Sequence, residues 1–508
     1  MVVKLRQYIV WIGIGALIFL GTFHQPYYPT TWFDEGLVLQ GAINLVQHGQ
    51  YAMRSVEGFR VLDQPLTANG PGVVLPITAV FAVFGIGLLQ ARLIMVVYFV
   101  LVVILFYRVA TIVFEKKIAF VSTLALLAVP DEGLLLYGRQ ALGNVPALVY
   151  FLVGCYFLIL LIERKKNKFA VAAGLFWGVT LVTKSQYWVI LPVLVVIGFL
   201  DLVYYKQVGL KSGLIMIGLT LGSLVLWQFV QYLLIGSENY GQYVESVRSS
   251  AKETVFAFRT IRIPGNVWYL VRSGYVLFVI PGLLIAAWDS IRRSTYSLVQ
   301  AFLVLFVVAW SLWYVFVSVG WHRYAFEPYS IGLIFFGLFF IRAFQYLNLI
   351  PANKGPARFS WQIYIPEFVI VLLLFLSTLW GITVGLNQIQ RIIFAPEPYP
   401  QQFANYLQTH IGPGEVIESW EWEIDALTPD LTYHHPTNDL VDRKTAELQF
   451  EEDFNEKYDF FVFNPSYLID GPFSKWTDMY KDPLADGCCV AVTAVGEYTL
   501  YKVVKPMQ

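Results

Sequence analysis

The chain has 508 residues, of which 57% are hydrophobic and 14% charged, against about 25% charged in an average soluble domain; a protein living wholly in water is excluded. Lys plus Arg and Asp plus Glu balance at 35 each, so no global charge recruits nucleic acid or an acidic partner. Three cysteines cannot make a disulfide framework: Cys155 lies in an apolar run, and Cys488 and Cys489 are adjacent, a spacing that rarely bridges.

Lys4 and Arg6 precede an apolar stretch over 8–23 without a small-residue cleavage site, which reads as a retained first helix. Further apolar runs recur near 93–114, 118–136, 145–162, 169–183, 188–205, 213–235, 268–288, 296–318, 325–345 and 363–388. With the first they give about eleven spans. The stretch 73–89 is also apolar, yet it is short, follows Pro71, contains Pro76 and is interrupted by Gly85 and Gly87.

Read as a non-spanning juxtamembrane helix, that stretch leaves every basic turn on the side of the N-terminus: Lys116 with Lys117, the cluster at 163–168, Lys206 with Lys211, Arg292 with Arg293, and Lys354 with Arg358. Read as a span, it inverts all of them. Cytoplasmic loops collect Lys and Arg, so the first topology is expected, with the N-terminus cytoplasmic. Segments 24–92, 137–144, 184–187, 236–267, 319–324 and everything after about 389 then face away from the cytoplasm.

Composition changes after Pro396-Glu397-Pro398, becoming charged and less apolar, which divides the chain into a membrane domain over 1–396 and a water-exposed domain over 397–508. In the latter, residues 400–410 read as a helix, and 415–419, 458–463 and 488–504 as strands, the last with a turn at Gly496-Glu497. The expected fold is an all-α polytopic membrane protein with juxtamembrane helices and a small C-terminal α/β domain. No glycine-rich phosphate loop, metal-ligand spacing or nucleophile elbow is present.

The unusual residues gather in the outward segments. Trp32-Phe33-Asp34-Glu35-Gly36 follows the first span by about ten residues, and a carboxylate beside aromatic rings and apolar wall gains proton affinity and suits general-base work. The plain alternative is a helix start capped by Asp34. Gln64-Pro65-Leu66-Thr67-Ala68-Asn69-Gly70-Pro71-Gly72 breaks regular structure and reads at least as a turn. Arg139 and Asn144 lie between two spans, where the arginine could equally snorkel. Lys184 closes a span at its outer end, where a cation is not ordinarily favoured. His322-Arg323-Tyr324 with Glu327 sets charge at an outer helix start, with an Arg323–Glu327 ion pair as the structural alternative. A carboxylate base beside several cations is what transfer from a lipid phosphate leaving group requires: the cations stabilise the departing phosphate, and the base activates an acceptor hydroxyl.

Taken in order, these pieces resemble the polytopic GT-C glycosyltransferases, most of all the branch of protein O-mannosyltransferases and lipid A aminoarabinose transferases. The resemblance rests on Asp34-Glu35 after the first span, Pro71-Gly72 opening a juxtamembrane helix, the Gly-Ile-Gly-Leu-Leu-Gln-Ala-Arg-Leu junction at 85–93, the segment 139–148, the ending at Lys184, and His322-Arg323-Tyr324 before a proline. It covers roughly residues 1–345.

It implies the GT-C fold and a polyprenyl-phosphate-linked sugar as donor. It further implies an exoplasmic acceptor, Asp34 as general base with Glu35 beside it, and inversion at the sugar carbon. Lys184, Arg323 and Arg139 are the expected phosphate contacts, and Asn144, His322, Tyr324 and Asn69 the expected substrate contacts. Relatives often carry an acidic residue where this chain has Asn144, so no metal site is expected. A prokaryotic cytoplasmic membrane is the expected setting, ahead of the endoplasmic reticulum. The rival class is a lipid or solute transporter or flippase, which would show inverted repeats and midplane charges.

Overall fold

A computed structural model describes residues 2–55, 58–61, 70–129, 133–237, 240–347, 367–435, 441–442, 449–450, 465–476 and 480–504. Asn69, most of the turn at 64–72, Lys354, Arg358 and the expected strand at 458–463 lie outside the described residues. The protein is an integral, multi-pass membrane protein. Among the described residues seven helices are long and apolar enough to cross a bilayer, and an eighth span exists if the bent pair Thr260–Arg272 and Tyr275–Ser290 is one crossing.

The membrane part contains α1 (Val2–Thr22), α2 (Phe33–His48), α3 (Pro71–Phe84), α4 (Leu88–Val113), α5 (Lys116–Leu127), α6 (Asn144–Arg164), α7 (Asn167–Thr183), α8 (Ile190–Leu200), α9 (Leu210–Ile235), α10 (Tyr240–Thr254), α11 (Ile263–Arg272), α12 (Ile280–Ser290), α13 (Ser297–Phe316), α14 (Phe326–Tyr346) and α15 (Glu367–Ile393). Every expected apolar run falls on one of these. Two differ in form. The run at 118–136 is helical only over α5 before it breaks at Ala128. The run at 268–288 bends by 59° where Gly274 adopts φ +81°, a left-handed conformation that a side chain would strain.

A short antiparallel hairpin, β1 (Ala52–Ser55) with β2 (Gly58–Val61), follows α2. Helices α4, α6, α13 and α14 carry the large buried core, with Phe151 packed against Phe302 and Phe306.

The C-terminal domain begins with α16 (Tyr399–His410) and holds a five-stranded mixed sheet. In the sheet β4 (Thr432–His434), β3 (Val416–Ser419), β5 (Tyr467–Asp470), β7 (Tyr498–Val503) and β6 (Cys489–Val495) lie side by side. Strand β3 runs parallel to β4 and β5, while β7 is antiparallel to β5 and β6. Cys488 and Cys489 are joined by a disulfide, contrary to the expectation from their adjacency. A helical turn, α17 (Trp422–Leu427), follows β3 and docks on α2.

Candidate active site

Helix α2 starts at Phe33, two residues before the position expected, and its N-cap residue Trp32 makes no side-chain cap bond. Asp34 is therefore not a cap. Both acidic residues lie in the first turn, where the helix dipole favours negative charge, and they point to different partners.

Asp34 is about one-fifth exposed and forms an ion pair with Arg323. The Arg323 guanidinium also lies 4.5 Å from the Trp321 ring centroid and 5.3 Å from that of Trp32, a cation–π setting that fixes its plane. Glu35 is turned into the protein. Its carboxylate takes two bonds from Arg92, at 2.8 and 2.6 Å, and one from the Ala141 amide at 2.8 Å, with both charged side chains fully buried.

One helical turn beyond Arg323 stands Glu327, which pairs not with Arg323 but with Lys184 at 3.2 Å. Asn144 donates to the same Glu327 oxygen at 3.2 Å. Glu327 Oε2 and the Tyr187 hydroxyl have no hydrogen-bond partner among the described residues. Asp34 with Arg323, and one turn on Glu327 with Lys184 and Asn144, thus form two polar groups that meet on the start of α14. The carboxylate that Asn144 does not supply comes from α14.

The Gly70 amide donates to the Thr183 carbonyl at 2.8 Å, beside Lys184, and Arg92 near the start of α4 reaches Glu35. Both flanks of α3 are therefore at the face that holds the ion pairs, so α3 does not cross the membrane.

Arg139 is buried and turned away from these two groups. It donates to the carbonyls of Leu20, Phe23 and Tyr28 and clamps the end of α1. Burial, with Arg92 nearby, lowers its pKa to about 10, which leaves it cationic at neutral pH. His322 stacks on Tyr269 with centroids 4.0 Å apart, and Tyr324 is buried, its carbonyl accepting from Trp310 at 2.8 Å.

Two further arginines lie close to these contacts. Arg92 stood in the quoted 85–93 junction but was given no partner. Arg272 ends α11 at the elbow of the bent pair, exposed, with its guanidinium 5.6 Å from the Tyr269 ring centroid. It stands at the edge of an apolar cleft of about 450 Å³ lined by Leu277, Phe278, Phe336, Leu376 and Trp380.

The C-terminal domain holds α2 from the other side. Phe33 stacks on Phe473 at 3.8 Å and tilts against Trp420, and Gln401 bonds Thr31 Oγ1 at 2.9 Å. Gly36 is needed for close approach: a Cβ there would lie 2.4 Å from the backbone of Trp422 and Glu423. Behind this contact Glu421 and Glu423 are buried as neighbours, and burial raises the proton affinity of both.

A carboxyl whose proton affinity is raised by folding contributes stability below its ordinary pKa, and that contribution is lost as pH climbs through the folded value. Glu423→Gln is therefore expected to raise the unfolding temperature at about pH 8 and to flatten its fall between about pH 5 and pH 8, measured by thermal unfolding of the full-length protein. Among the described residues no three His, Cys, Asp or Glu side chains converge as a metal site.

Residues 63–230 match the family model of dolichyl-phosphate-mannose-protein mannosyltransferases. No curated protein matches by sequence. Among solved structures the chain is similar to ArnT from Cupriavidus metallidurans bound to undecaprenyl phosphate, at 11% identity and TM-score 0.62 over 97% of both chains. The apo form of that protein gives 12% identity and TM-score 0.59 over 98% of both chains. The archaeal oligosaccharyltransferase AglB from Archaeoglobus fulgidus, in complex with an inhibitory peptide and a dolichol-phosphate, gives 14% identity and TM-score 0.56 over 99% of this chain and 74% of that one. The comparisons and the bundle of apolar helices define a polytopic membrane protein. In particular, the chain has the GT-C fold.

Proposed function

We propose that the protein is an inverting glycosyltransferase that moves a monosaccharide from a polyprenyl-phosphate-linked donor to an acceptor hydroxyl on the exoplasmic side, with Asp34 as general base. The observation that carries this reading is the direct contact of Asp34 with Arg323, one helical turn from a second ion pair between Glu327 and Lys184.

The pairing suggests an order of events. With one Asp34 oxygen engaged by Arg323, that oxygen is occupied. A lipid phosphate draws the guanidinium to itself, because a bidentate phosphate contact is stronger than a partly exposed ion pair, and frees the carboxylate. The acceptor hydroxyl then gives its proton to Asp34 as its oxygen bonds to the sugar carbon from the face opposite the phosphate. The bond from carbon to phosphate oxygen breaks, and its electron pair leaves on the phosphate, held by Arg323.

Glu35 and Arg139 are left out of the chemistry in this reading: the first anchors Arg92 and the second clamps α1. Lys184, buried and paired, supports the floor of the site and adds positive charge beneath the phosphate. The apolar cleft at the 273–274 elbow suits the polyprenyl chain, with Arg272 at its edge as a second phosphate contact.

ArnT and AglB are solved with lipid phosphates, which agrees with a lipid-linked donor here. Arg272→Ala is expected to raise the donor KM about tenfold, equivalent to about 1.4 kcal/mol, with a smaller change in kcat. A panel of polyprenyl-phosphate monosaccharides serves as donors. An unchanged donor KM across the panel removes Arg272 from the site.

A further inference from the structure

Beyond the ion pairs, α2 carries polar side chains that the proposed chemistry does not use. Gln40 and Asn44 share one face of the helix, about 9 and 15 Å along it from Asp34 at 1.5 Å per residue. Asn44 donates to the Ala52 carbonyl at 2.9 Å and to Gln40 Oε1 at 3.4 Å. Gln40 Nε2 and Asn44 Oδ1 remain without a partner among the described residues, and both side chains are fully buried.

Tyr51, which precedes Ala52, meets Trp227 of α9 edge to face with centroids 6.0 Å apart. The Tyr51 hydroxyl and Trp227 Nε1 are unpartnered in the same way. One turn farther along α9, Gln231 is fully buried and neither atom of its amide is bonded among the described residues. The hairpin of β1 and β2 packs between α2 and α9.

A buried polar atom without a partner costs about 1–3 kcal/mol, and native proteins carry few of them. Several gathered on α2, its hairpin and α9 need a cause. Their chemistry narrows it. The five side chains are three amides, a phenol and an indole, all neutral groups that hydrogen-bond neutral donors and acceptors. An apolar lipid would leave the amides unpaired. A sugar fits both features: each hydroxyl donates and accepts, and the ring's C–H face lies against aromatic surface.

We propose that Gln40, Asn44, Tyr51, Trp227 and Gln231 form a subsite for a neutral, hydroxyl-rich glycan. This ligand is the acceptor, a designation that rests on the glycosyl-transfer reading. The acceptor class is then a carbohydrate or glycolipid rather than a bare peptide side chain.

The test is saturation-transfer NMR on the full-length protein in phospholipid nanodiscs, free of glycosidic detergent, with maltotriose and mannobiose as probes. Saturable binding of at least one probe is expected in the wild type and equally in Asp34→Asn, which separates binding from catalysis. Gln231→Leu and Tyr51→Phe are expected to weaken it by about tenfold or more. Both should unfold at or above the wild-type temperature, since each removes an unpaired buried polar atom. Absence of binding by either probe in the wild type, undiminished binding in both variants, or lowered unfolding temperatures in both overturns the subsite. Turnover retained by Asp34→Asn would instead overturn the general base and leave the subsite standing.

Discussion

Asp34→Asn is expected to lower the rate of sugar transfer by about 10²- to 10⁴-fold, the usual contribution of a positioned general base, while leaving the protein folded. The substitution is isosteric, and the side chain is only partly buried. Loss of a partly exposed ion pair with Arg323 removes about 1 kcal/mol or less. Single-turnover kinetics with a competent donor and acceptor separates this from a binding defect: donor affinity should hold or rise, because Arg323 no longer has to leave a carboxylate for the phosphate. A variant with wild-type turnover would show that another group takes the proton.

Arg92→Leu is expected to destabilise the fold by about 3–5 kcal/mol, because it leaves the Glu35 carboxylate buried without its countercharge. The damage should spread through the loop that carries the site. Arg92 also donates to the Gln25 carbonyl at 2.6 Å and to Thr31 Oγ1 at 3.3 Å, and so ties residues 25–35 to the start of α4. The measurement is thermal unfolding and yield of the purified full-length variant. Pairing it with Glu35→Leu should recover much of the loss, since removing both charges together removes the uncompensated one. No recovery in the double variant would mean that the 25–35 loop, not the charge pair, is what Arg92 supports.

The membrane architecture is readable in the sequence because bilayer thickness sets a minimum apolar length, and each expected run does lie on a helix. The juxtamembrane nature of α3 is also readable, from Pro76, Gly85 and Gly87 together with the basic turns. Asp34, Lys184 and Arg323 stand out because charge beside an apolar run is rare.

The pairings are another matter. Spacing of four residues suggested Arg323 with Glu327, yet helix packing gives each another partner, Asp34 from α2 for Arg323 and Lys184 at the end of α7 for Glu327. Glu35 is adjacent to Asp34 in sequence, but successive helical residues point about 100° apart, so one is partly exposed beside Arg323 and the other is buried against Arg92. Arg272 lay hidden inside a run read as a continuous span, because one Gly274 is a weak break signal until its left-handed conformation is seen. Strand β5, with only four residues, Tyr467 to Asp470, is too short to show a period of two against its surroundings.

The most direct test of the central claim is density for a polyprenyl phosphate in an experimental structure of the full-length protein. The expected result is a phosphate within about 3.2 Å of the Arg323 guanidinium, Arg323 drawn off Asp34, and the prenyl chain along Phe278 and Trp380. A phosphate bound instead at the opposite helix ends, among Lys116, Arg164 and Arg292, would contradict it.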